Sequence, residues 1–374
     1  MKASLFCGML LLVFAFTSFG ISIRDYKPPV SNLTDFDISA FYNYFAQDSA
    51  TTNNGSLNYD FTKFYESQPF GWSVNSGGGI NYDGLAPDSV DDSQYSVSLQ
   101  AEIHKYLSGD FFGYTSLNTS SQTSYDHIAA SAFIGAGYGR YTNATSMARA
   151  LRIQEELYEE GTITSDLERT VLIDLAAAID NRNSYDLERD YFAAIETILE
   201  SSTKIDVLSA VDLYRIMQVM DNEVIRDRYY GYRVGAGLGY ELSNPYSEDT
   251  EDPVMEIFGN FAYPFSLRSQ FNQAVNFTSN LNDFGDSYTL QSTSSYSFEI
   301  SDKIDDRLQY QMVMNKSIPF EGAESVSITT NTLTNSFIYY LENRVGLNLD
   351  VSLIKTTDTD LQKAVGFSIT YDLL

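Results

Sequence analysis

The feature that most constrains this chain is an alternation of apolar and polar residues over unusually long segments. The last such segment has one face made of Val365, Phe367, Ile369, Tyr371 and Leu373, with glycine and short polar residues between them. An alternation with a period of two residues indicates a strand whose two faces meet different surroundings. The segments run for about ten residues or more, and a tilted strand needs roughly 9–11 to cross the hydrocarbon of a bilayer. Strands of soluble proteins usually have about five or six.

The same pattern recurs along the chain and predicts about fourteen strands, with twelve as the alternative if the first two are irregular. Transmembrane strands must close into a barrel, because lipid offers no partner to an unpaired peptide group, and bacterial barrels prefer even strand numbers. We therefore predict an all-β transmembrane barrel of antiparallel, up-and-down topology. The expected strands are Asp35–Ala46, Gly55–Glu66, Phe70–Asp83, Ser93–Tyr106, Asp110–Thr119, Tyr125–Tyr141, Tyr229–Leu242, Pro253–Tyr263, Ser266–Ser279, Phe284–Ile300, Lys303–Lys316, Ser325–Leu341, Val345–Thr356 and Leu361–Leu373.

The lengths of the connections support this topology, since barrels of this kind have short periplasmic turns and longer outside loops. The predicted connections after the first, third, seventh and eleventh strands are comparatively long, at 47–54, 84–92, 243–252 and 317–324. Those after the second, fourth, eighth, tenth and twelfth strands are short. The connection after the ninth strand is short as well and does not fit the alternation.

Between the sixth and seventh strands the apolar period changes to 3.6 residues, which predicts helices. We expect four short amphipathic helices between Thr142 and Arg228, packed as a small bundle. Gly161 is expected at the end of the first helix, and Ser165 with Glu168 is expected to form a capping box at the start of the second. The fourth helix is expected to bury Val207, Leu208, Val211, Tyr214 and Met217.

The predicted domain organisation is a signal peptide at 1–20, the two halves of the barrel at 21–141 and 229–374, and the helical insert at 142–228. An irregular lead-in is expected at Arg24–Leu33. An insert that follows the sixth strand lies on the periplasmic side if the strand count is right. One missed strand would reverse that placement.

Residues 1–20 have the pattern of a cleavable secretory signal peptide. Lys2 supplies a positive charge, Leu5–Phe16 is an apolar run too short to span a bilayer, and the small residues Ser18 and Gly20 follow. We expect cleavage near Gly20, with an uncleaved membrane anchor as the alternative. The only cysteine, Cys7, lies in this segment, so the mature chain is expected to lack a thiol for disulfides, catalysis or metal binding.

Charge and composition exclude several classes of function. The net charge of −27 argues against a nucleic-acid partner, which needs a basic surface, and favours acidic outside loops or a cation-favouring lumen. No cofactor is expected, because the glycine-rich segments lie in strand pattern and precede no helix. The acidic groups Asp83–Asp91–Asp92 and Glu248–Asp249–Glu251–Asp252 suit a loosely held Ca²⁺, but we interpret them as solvated loops and expect no metal site.

The polar faces of the predicted strands are expected to line the lumen, where ionisable side chains would tune selectivity. The candidate lumen-facing residues are Glu102, His104, His127, Arg233, Glu241, Glu299 and Asp350. The alternative for the two histidines is a catalytic Ser–His or Asp–His pair. We predict that the protein is not an enzyme, because such a pair needs a constellation for which the sequence gives no sign.

The ending Lys363–Leu374 resembles the C-terminal strand of Gram-negative outer-membrane barrels, a signal that the barrel-assembly machinery reads. The candidate signal residues are Phe367, Ile369, Tyr371 and Leu373. Members of that group usually end on an aromatic residue, whereas this chain ends on Leu374 and its apolar set is one position out of phase. The segment Ala148–Leu157, followed by Gly161–Ile163, resembles the insert of uncharacterised outer-membrane proteins of similar layout, for which no activity is implied.

These observations and resemblances lead to two expected functions. The first is a porin-like barrel in the outer membrane that passes small solutes passively through a polar lumen. The second is an anchoring barrel whose helical insert docks a periplasmic protein. The expected partners are outer-membrane lipid, the barrel-assembly machinery and, for the second function, that periplasmic protein.

Overall fold

In the computed structural model, which describes residues 21–47, 50–85, 92–221, 228–246, 252–318, 324–342 and 345–372, fourteen strands form one sheet. Each strand pairs antiparallel with its neighbours in the chain, and the last pairs with the first, so the sheet is a closed barrel as predicted. The strands are β1 (Val30–Gln47), β2 (Ala50–Ser67), β3 (Phe70–Asp83), β4 (Ser93–Ser108), β5 (Phe111–Gln122), β6 (Ala129–Asn143), β7 (Tyr229–Ser243), β8 (Pro253–Ser266), β9 (Ser269–Asn280), β10 (Tyr288–Ser301), β11 (Ile304–Ser317), β12 (Val326–Glu342), β13 (Val345–Thr356) and β14 (Gln362–Asp372).

The first two strands are longer than the sequence pattern predicted. Their ladder runs from Val30 paired with Ser67 to Gln47 paired with Ala50, so the predicted long loop at 47–54 and the predicted lead-in up to Leu33 are both wrong. Polar residues without alternation fill 47–54, and pairing of backbone groups extends the strands there regardless of the side chains. β6 begins at Ala129 and β10 at Tyr288, each four residues later than predicted.

The connections divide the barrel into two different ends. At one end of the barrel, which we call the short-turn end, only two residues separate consecutive strands, namely 68–69, 109–110, 267–268, 302–303 and 343–344. The connections at 84–92, 123–128, 244–252, 281–287, 318–325 and 357–361 lie at the other. The predicted exception after the ninth strand was wrong, because β10 begins later and the connection 281–287 is long. Among the described strands, the exception to this alternation is the pair β1 and β2, which only two residues separate.

The helical insert lies between β6 and β7 and contains α1 (Thr145–Glu159), α2 (Arg169–Asp180), α3 (Glu188–Glu200) and α4 (Ala210–Asp221). Gly161 follows α1 with a φ of +78°, a left-handed conformation that favours glycine and ends the helix as predicted. The predicted capping box at the start of α2 is wrong. α2 begins at Arg169, and the Glu168 carboxylate instead accepts hydrogen bonds from the hydroxyls of Ser202 and Thr203, both at 2.5 Å.

The helices enclose the main apolar core of the described residues, which contains no strand residue. Met147, Ile153, Leu172 and Ile195 are among its fully buried members. The barrel has the opposite arrangement, because most of its large apolar side chains point outward and are exposed, apart from a few inward aromatic rings such as Phe112 and Tyr114. Ile134 and Val365 on two different strands each have 73% of their surface exposed. An apolar surface of this extent on a folded protein marks contact with a membrane or a partner.

A segment before β1 joins the insert instead of forming an irregular lead-in. A short 3-10 helix, Ile23–Asp25, places Ile23 and Tyr26 in the helical core. The Tyr26 hydroxyl donates to Asp180 at 2.5 Å, and the Ser146 hydroxyl donates to the same carboxylate at 2.5 Å. Burial raises the pKa of Asp180 above its ordinary value, although both hydrogen bonds oppose that shift. No helix among the described residues has both the length and the apolar character that crossing a membrane requires.

Candidate functional site in the barrel interior

The barrel encloses a cavity of about 290 Å³, and the residues that line it show which face of each strand points inward. Its walls come from β3, β4, β5, β7, β8, β9 and β10, and Asn75, Gln100, Glu102, Asn260 and Gln291 are among its lining residues. Adjacent strands pair these positions directly, for example Asn75 with Gln100 and Ser116 with Glu102. Because side chains alternate between the two faces of a strand, this register assigns every second residue of each strand to the interior.

The inward face is strongly acidic. At the described strand positions, the register places two arginines on it, Arg233 and Arg307, and no lysine. Its acidic side chains include Asp35, Asp37, Asp60, Glu66, Glu102, Glu241, Glu256, Glu299, Asp305 and Asp350. The lysines of the strands point outward and lie near strand ends, where a long side chain reaches the polar boundary of a bilayer.

Glycines on β6 and β7 make room for aromatic rings inside the barrel. A Cβ atom on Gly135 would lie 2.5 Å from the Tyr114 ring, and one on Gly235 would lie 2.5 Å from the Phe258 ring. The Tyr114 and Phe258 rings contact each other edge to face with centroids 5.2 Å apart, although β5 and β8 are not neighbours. The rings therefore fill the interior beside these two strands.

Four ionisable side chains from three strands, β2, β4 and β7, meet next to these rings. His104 has its Nε2 atom 2.9 Å from Glu66 and its Nδ1 atom 3.1 Å from Glu102. The Arg233 Nη1 atom lies 2.8 Å from the same Glu102 carboxylate, and the guanidinium carbon lies 5.3 Å from the centre of the Phe258 ring. Both nitrogens of His104 face carboxylates, so this histidine does not form the alternative Ser–His pair.

Glu256 lies beside this cluster but is not part of an ion pair among the described residues. Its side chain is 4% exposed and accepts a hydrogen bond from the Ser116 hydroxyl at 3.1 Å. Tyr114 is a further neighbour of the carboxylate, and Glu102 adds a second negative charge nearby. Arg233, the arginine that lines the same cavity, is held by Glu102.

A second buried ionic group joins the insert to the wall at the short-turn end. Arg152 on α1 places its Nη2 atom 2.5 Å from Glu299 on β10. Arg228, which precedes β7, pairs with the other oxygen of Glu299 and donates from Nε to the carbonyl of Leu267 at 3.1 Å. Asp305 lies opposite Glu299 in the register, and all four side chains are less than 8% exposed. We call this group the insert latch.

The structure gives a position for each candidate lumen residue. Glu102, His104, Arg233, Glu241, Glu299 and Asp350 lie at inward positions of the register. His127 does not, because it lies exposed in the loop before β6, where its backbone N–H donates to the carbonyl of Pro245 at 3.2 Å. That placement is a correction, and it follows from the later start of β6.

The candidate signal residues at the C-terminal strand point outward. Phe367, Ile369 and Tyr371 on β14 are 62%, 51% and 46% exposed, and the inward positions between them are Ser368 and Thr370. Leu373 lies outside the described residues. The same holds for Asp91, Glu248, Asp249 and Glu251 of the acidic loops. Within the described residues, no group of three His, Cys, Asp or Glu side chains is arranged to hold a metal ion.

The sequence reasoning missed Glu66, Glu256, Arg152 and Arg228. Glu66 alternates correctly in β2 and was detectable as an inward residue from that strand alone. Glu256 sits in Val254–Phe258, where apolar residues occupy both faces and alternation gives no direction. Arg152 lies on the apolar side of α1, between Leu151 and Ile153, and this was a visible sign of a buried ion pair.

Comparisons with known proteins give one partial family match and several distant structural similarities. A sequence family described as "protein of unknown function, DUF481" matches residues 222–337. No curated protein matches the chain. Among solved structures, the Salmonella typhi OmpF complex with daunomycin is 7% identical, with 92% of this chain and 97% of that chain covered and a TM-score of 0.35. An anion-selective porin from Comamonas acidovorans is 10% identical, with 92% and 100% covered and a TM-score of 0.35. The outer membrane channel DcaP of Acinetobacter baumannii is 10% identical, with 92% and 97% covered and a TM-score of 0.33. At these TM-scores the likeness adds nothing to the barrel that the strand pairing itself defines.

Proposed function

We propose that this chain is an outer-membrane barrel that passes small polar solutes and favours cations. The observation that carries the proposal is the division of the strands into an apolar outward face and an acidic inward face. A closed barrel satisfies its backbone hydrogen bonds in lipid, and the exposed apolar band then has a hydrocarbon environment. An interior lined by carboxylates attracts cations and repels anions.

Single-channel recording in planar bilayers tests this proposal. With a tenfold KCl gradient across the bilayer, we expect discrete conductance steps and a reversal potential of the sign that cation preference requires. The preference should weaken at high salt, because screening shortens the reach of the carboxylates. A barrel that inserts but carries no current, or one that selects anions, would overturn the proposal.

A second candidate function is anchoring, with the insert as a docking surface for a periplasmic protein. One observation favours it. Val207 and the α4 residues Val211, Tyr214 and Met217 are between 42% and 75% exposed, so α4 turns an apolar stripe away from its own bundle. The insert contacts the barrel at the short-turn end, and we infer that this end faces the periplasm because up-and-down barrels usually carry their short turns there.

Deleting residues 144–227 separates the two functions. If passage of solutes is the main role, the shortened barrel still conducts. If docking is the main role, the deletion leaves conductance intact but removes a protein that co-purifies with the full chain. A matched variant, Val211→Ser with Tyr214→Ser, should remove the same protein while the bundle stays folded. Retention of that protein by both variants would rule out the docking function.

A further inference from the structure

We propose that the cavity beside Glu256 is a binding site for a small amine that also carries hydroxyl groups, such as an amino sugar. The inference deepens the proposed function, since it assigns a class of solute to the interior that such solutes would cross. The cavity measures about 290 Å³, near the lower limit of roughly 300–1,000 Å³ for small-molecule sites, so its ligand is small.

The charges around the cavity select the amine. Its lining holds two carboxylates, Glu102 and Glu256, against one guanidinium, Arg233. Glu102 holds both Arg233 and His104, whereas Glu256 is in no ion pair of the described residues. A buried carboxylate is unfavourable unless a positive group or several hydrogen bonds compensate it. A ligand ammonium beside Glu256 supplies a charge-assisted hydrogen bond where, among the described residues, the protein supplies one from the Ser116 hydroxyl.

The remaining polar groups select the hydroxyls. Side-chain amides from five positions line the cavity, and each amide can donate and accept hydrogen bonds. They are Asn75, Gln100, Asn260, Asn276 and Gln291. The Oδ1 atom of Asn276 is buried and has no hydrogen-bond partner among the described residues. Such an acceptor requires a donor from a ligand or a water molecule, and a ligand hydroxyl fits it.

Competing ligand classes fit less well. An anionic solute would be repelled by both the Glu102 and the Glu256 carboxylates. The single positive charge of Arg233 can offset only one of these two negative charges. A neutral sugar would satisfy the amides but leave Glu256 without a counter-charge. An apolar solute would leave the amides unpaired, and the only ring in the lining is that of Phe258.

The test is calorimetric titration of the full mature barrel in detergent with glucosamine, glucose and glucuronate. We expect glucosamine to bind at least tenfold more tightly than glucose, and glucuronate to show no binding. Glu256→Gln should reduce the affinity for glucosamine to that for glucose, because the substitution keeps the shape and removes the charge. Glu159→Gln, at an exposed position on α1, is the matched control and should leave the affinity unchanged. Retention of heat-modifiable gel mobility shows that each variant remains a folded barrel.

Equal affinity for the three sugars, or glucosamine binding that Glu256→Gln does not change, would overturn the proposal. Channel recording keeps the two proposals apart. If the wild-type barrel conducts cations but does not bind glucosamine, the site is wrong and the proposed function stands. If glucosamine binds through Glu256 in a barrel without conductance, the site stands and the proposed function fails.

Discussion

The inward glycines of β6 and β7 act through the space that they leave. Tyr114 and Phe258 lie over Gly135 and Gly235. The Phe258 ring in turn lies against the Arg233 guanidinium, which pairs with Glu102. A side chain at either glycine would move a ring away from its neighbours. The glycines are therefore part of the packing that positions the ionic cluster, and their flexibility is not what the site requires.

Replacing Gly235 by alanine should lower the free energy of unfolding by about 1–3 kcal/mol, the usual cost of forcing a methyl group into a filled interior. The new Cβ atom would lie 2.5 Å from the Phe258 ring. The measurement is urea unfolding of the barrel in lipid vesicles. Gly366→Ala is the control, because a Cβ atom on this inward glycine of β14 meets nothing within 4 Å. Equal stability of the two variants would contradict the packing described for Gly235.

Asp212 makes the insert sensitive to acid. Its carboxylate accepts hydrogen bonds from the Thr162 hydroxyl at 2.5 Å and from the Ser209 backbone N–H at 2.7 Å, and its own N–H donates to the Ser209 hydroxyl at 3.2 Å. Burial alone would raise the pKa of Asp212, but the hydrogen bonds from Thr162 and Ser209 hold it below the ordinary 3.8. A lowered folded-state pKa stabilises the fold above the unfolded-state value, and the stability is lost as the pH falls through the folded-state pKa.

Asp212→Asn should therefore speed hydrogen exchange of the α4 amides at neutral pH by a factor of about five, which corresponds to roughly 1 kcal/mol for a lost cap. After correction for intrinsic rates, wild-type protection should fall towards that of the variant as the pH drops below 3.8. Asp206→Asn, an exposed change in the preceding loop, is the control. Protection in the wild type that does not change down to pH 2 would contradict this role of Asp212.

At the scale of single elements, α4 shows that an apolar period of 3.6 residues can predict a helix without predicting which side of it is buried. Of the predicted inward set, Leu208 is buried, whereas Val207, Val211, Tyr214 and Met217 are exposed. Ile216, Val219 and Met220 face the bundle in their place. Both sides of the helix carry apolar residues, so the 3.6 period fits either side. The side that is buried depends on α1, with which α4 packs.

Two adjacent residues of α4 test the corrected orientation. Ile216 is fully buried and Met217 is 42% exposed. Ile216→Ala should lower the stability of the insert by about 2–4 kcal/mol, as for other buried aliphatic truncations, whereas Met217→Ala should change it by less than about 0.5 kcal/mol. The readout is the rate of limited proteolysis within the insert while the barrel remains intact. A larger effect at Met217 would restore the orientation that the sequence predicted.

Substitutions in the insert latch test whether these buried ion pairs hold the insert against the barrel. Glu299→Gln leaves Arg152 and Arg228 buried without their shared carboxylate, and breaking such a pair costs about 3–5 kcal/mol. We expect faster proteolysis of the insert and a less stable joint, measured on the full chain in detergent. Glu155 is the other partner of Arg152, and its side chain is 43% exposed. Glu155→Gln should therefore change the stability of the joint by less than about 1 kcal/mol. Equal effects would show that the latch does not hold the insert.

At the scale of the whole molecule, the barrel could be predicted from the sequence because the alternation of apolar and polar residues is a local property of each strand. Each strand carries its own alternation, and fourteen alternating segments define the count without knowledge of their contacts. The capping box at the start of α4, Ser209-Ala-Val-Asp212, was not predicted from the sequence, and the structure shows it through reciprocal hydrogen bonds between Ser209 and Asp212. Contacts across the lumen were not visible, because Arg233 and Glu102, or Tyr114 and Phe258, meet only through the curvature of the closed sheet.

The central claim is that the apolar face of the barrel lies in lipid and the acidic face in water. Spin labels on single cysteines test it directly in a Cys7→Ser background, since Cys7 is the only cysteine. The informative pairs are neighbours on one strand, Phe367 with Ser368 on β14 and Leu333 with Thr334 on β12. In vesicles we expect labels at Phe367 and Leu333 to collide with lipid-soluble oxygen, and labels at Ser368 and Thr334 to collide with a water-soluble nickel chelate. The reverse assignment, or equal access of all four labels to the chelate, would contradict the claim.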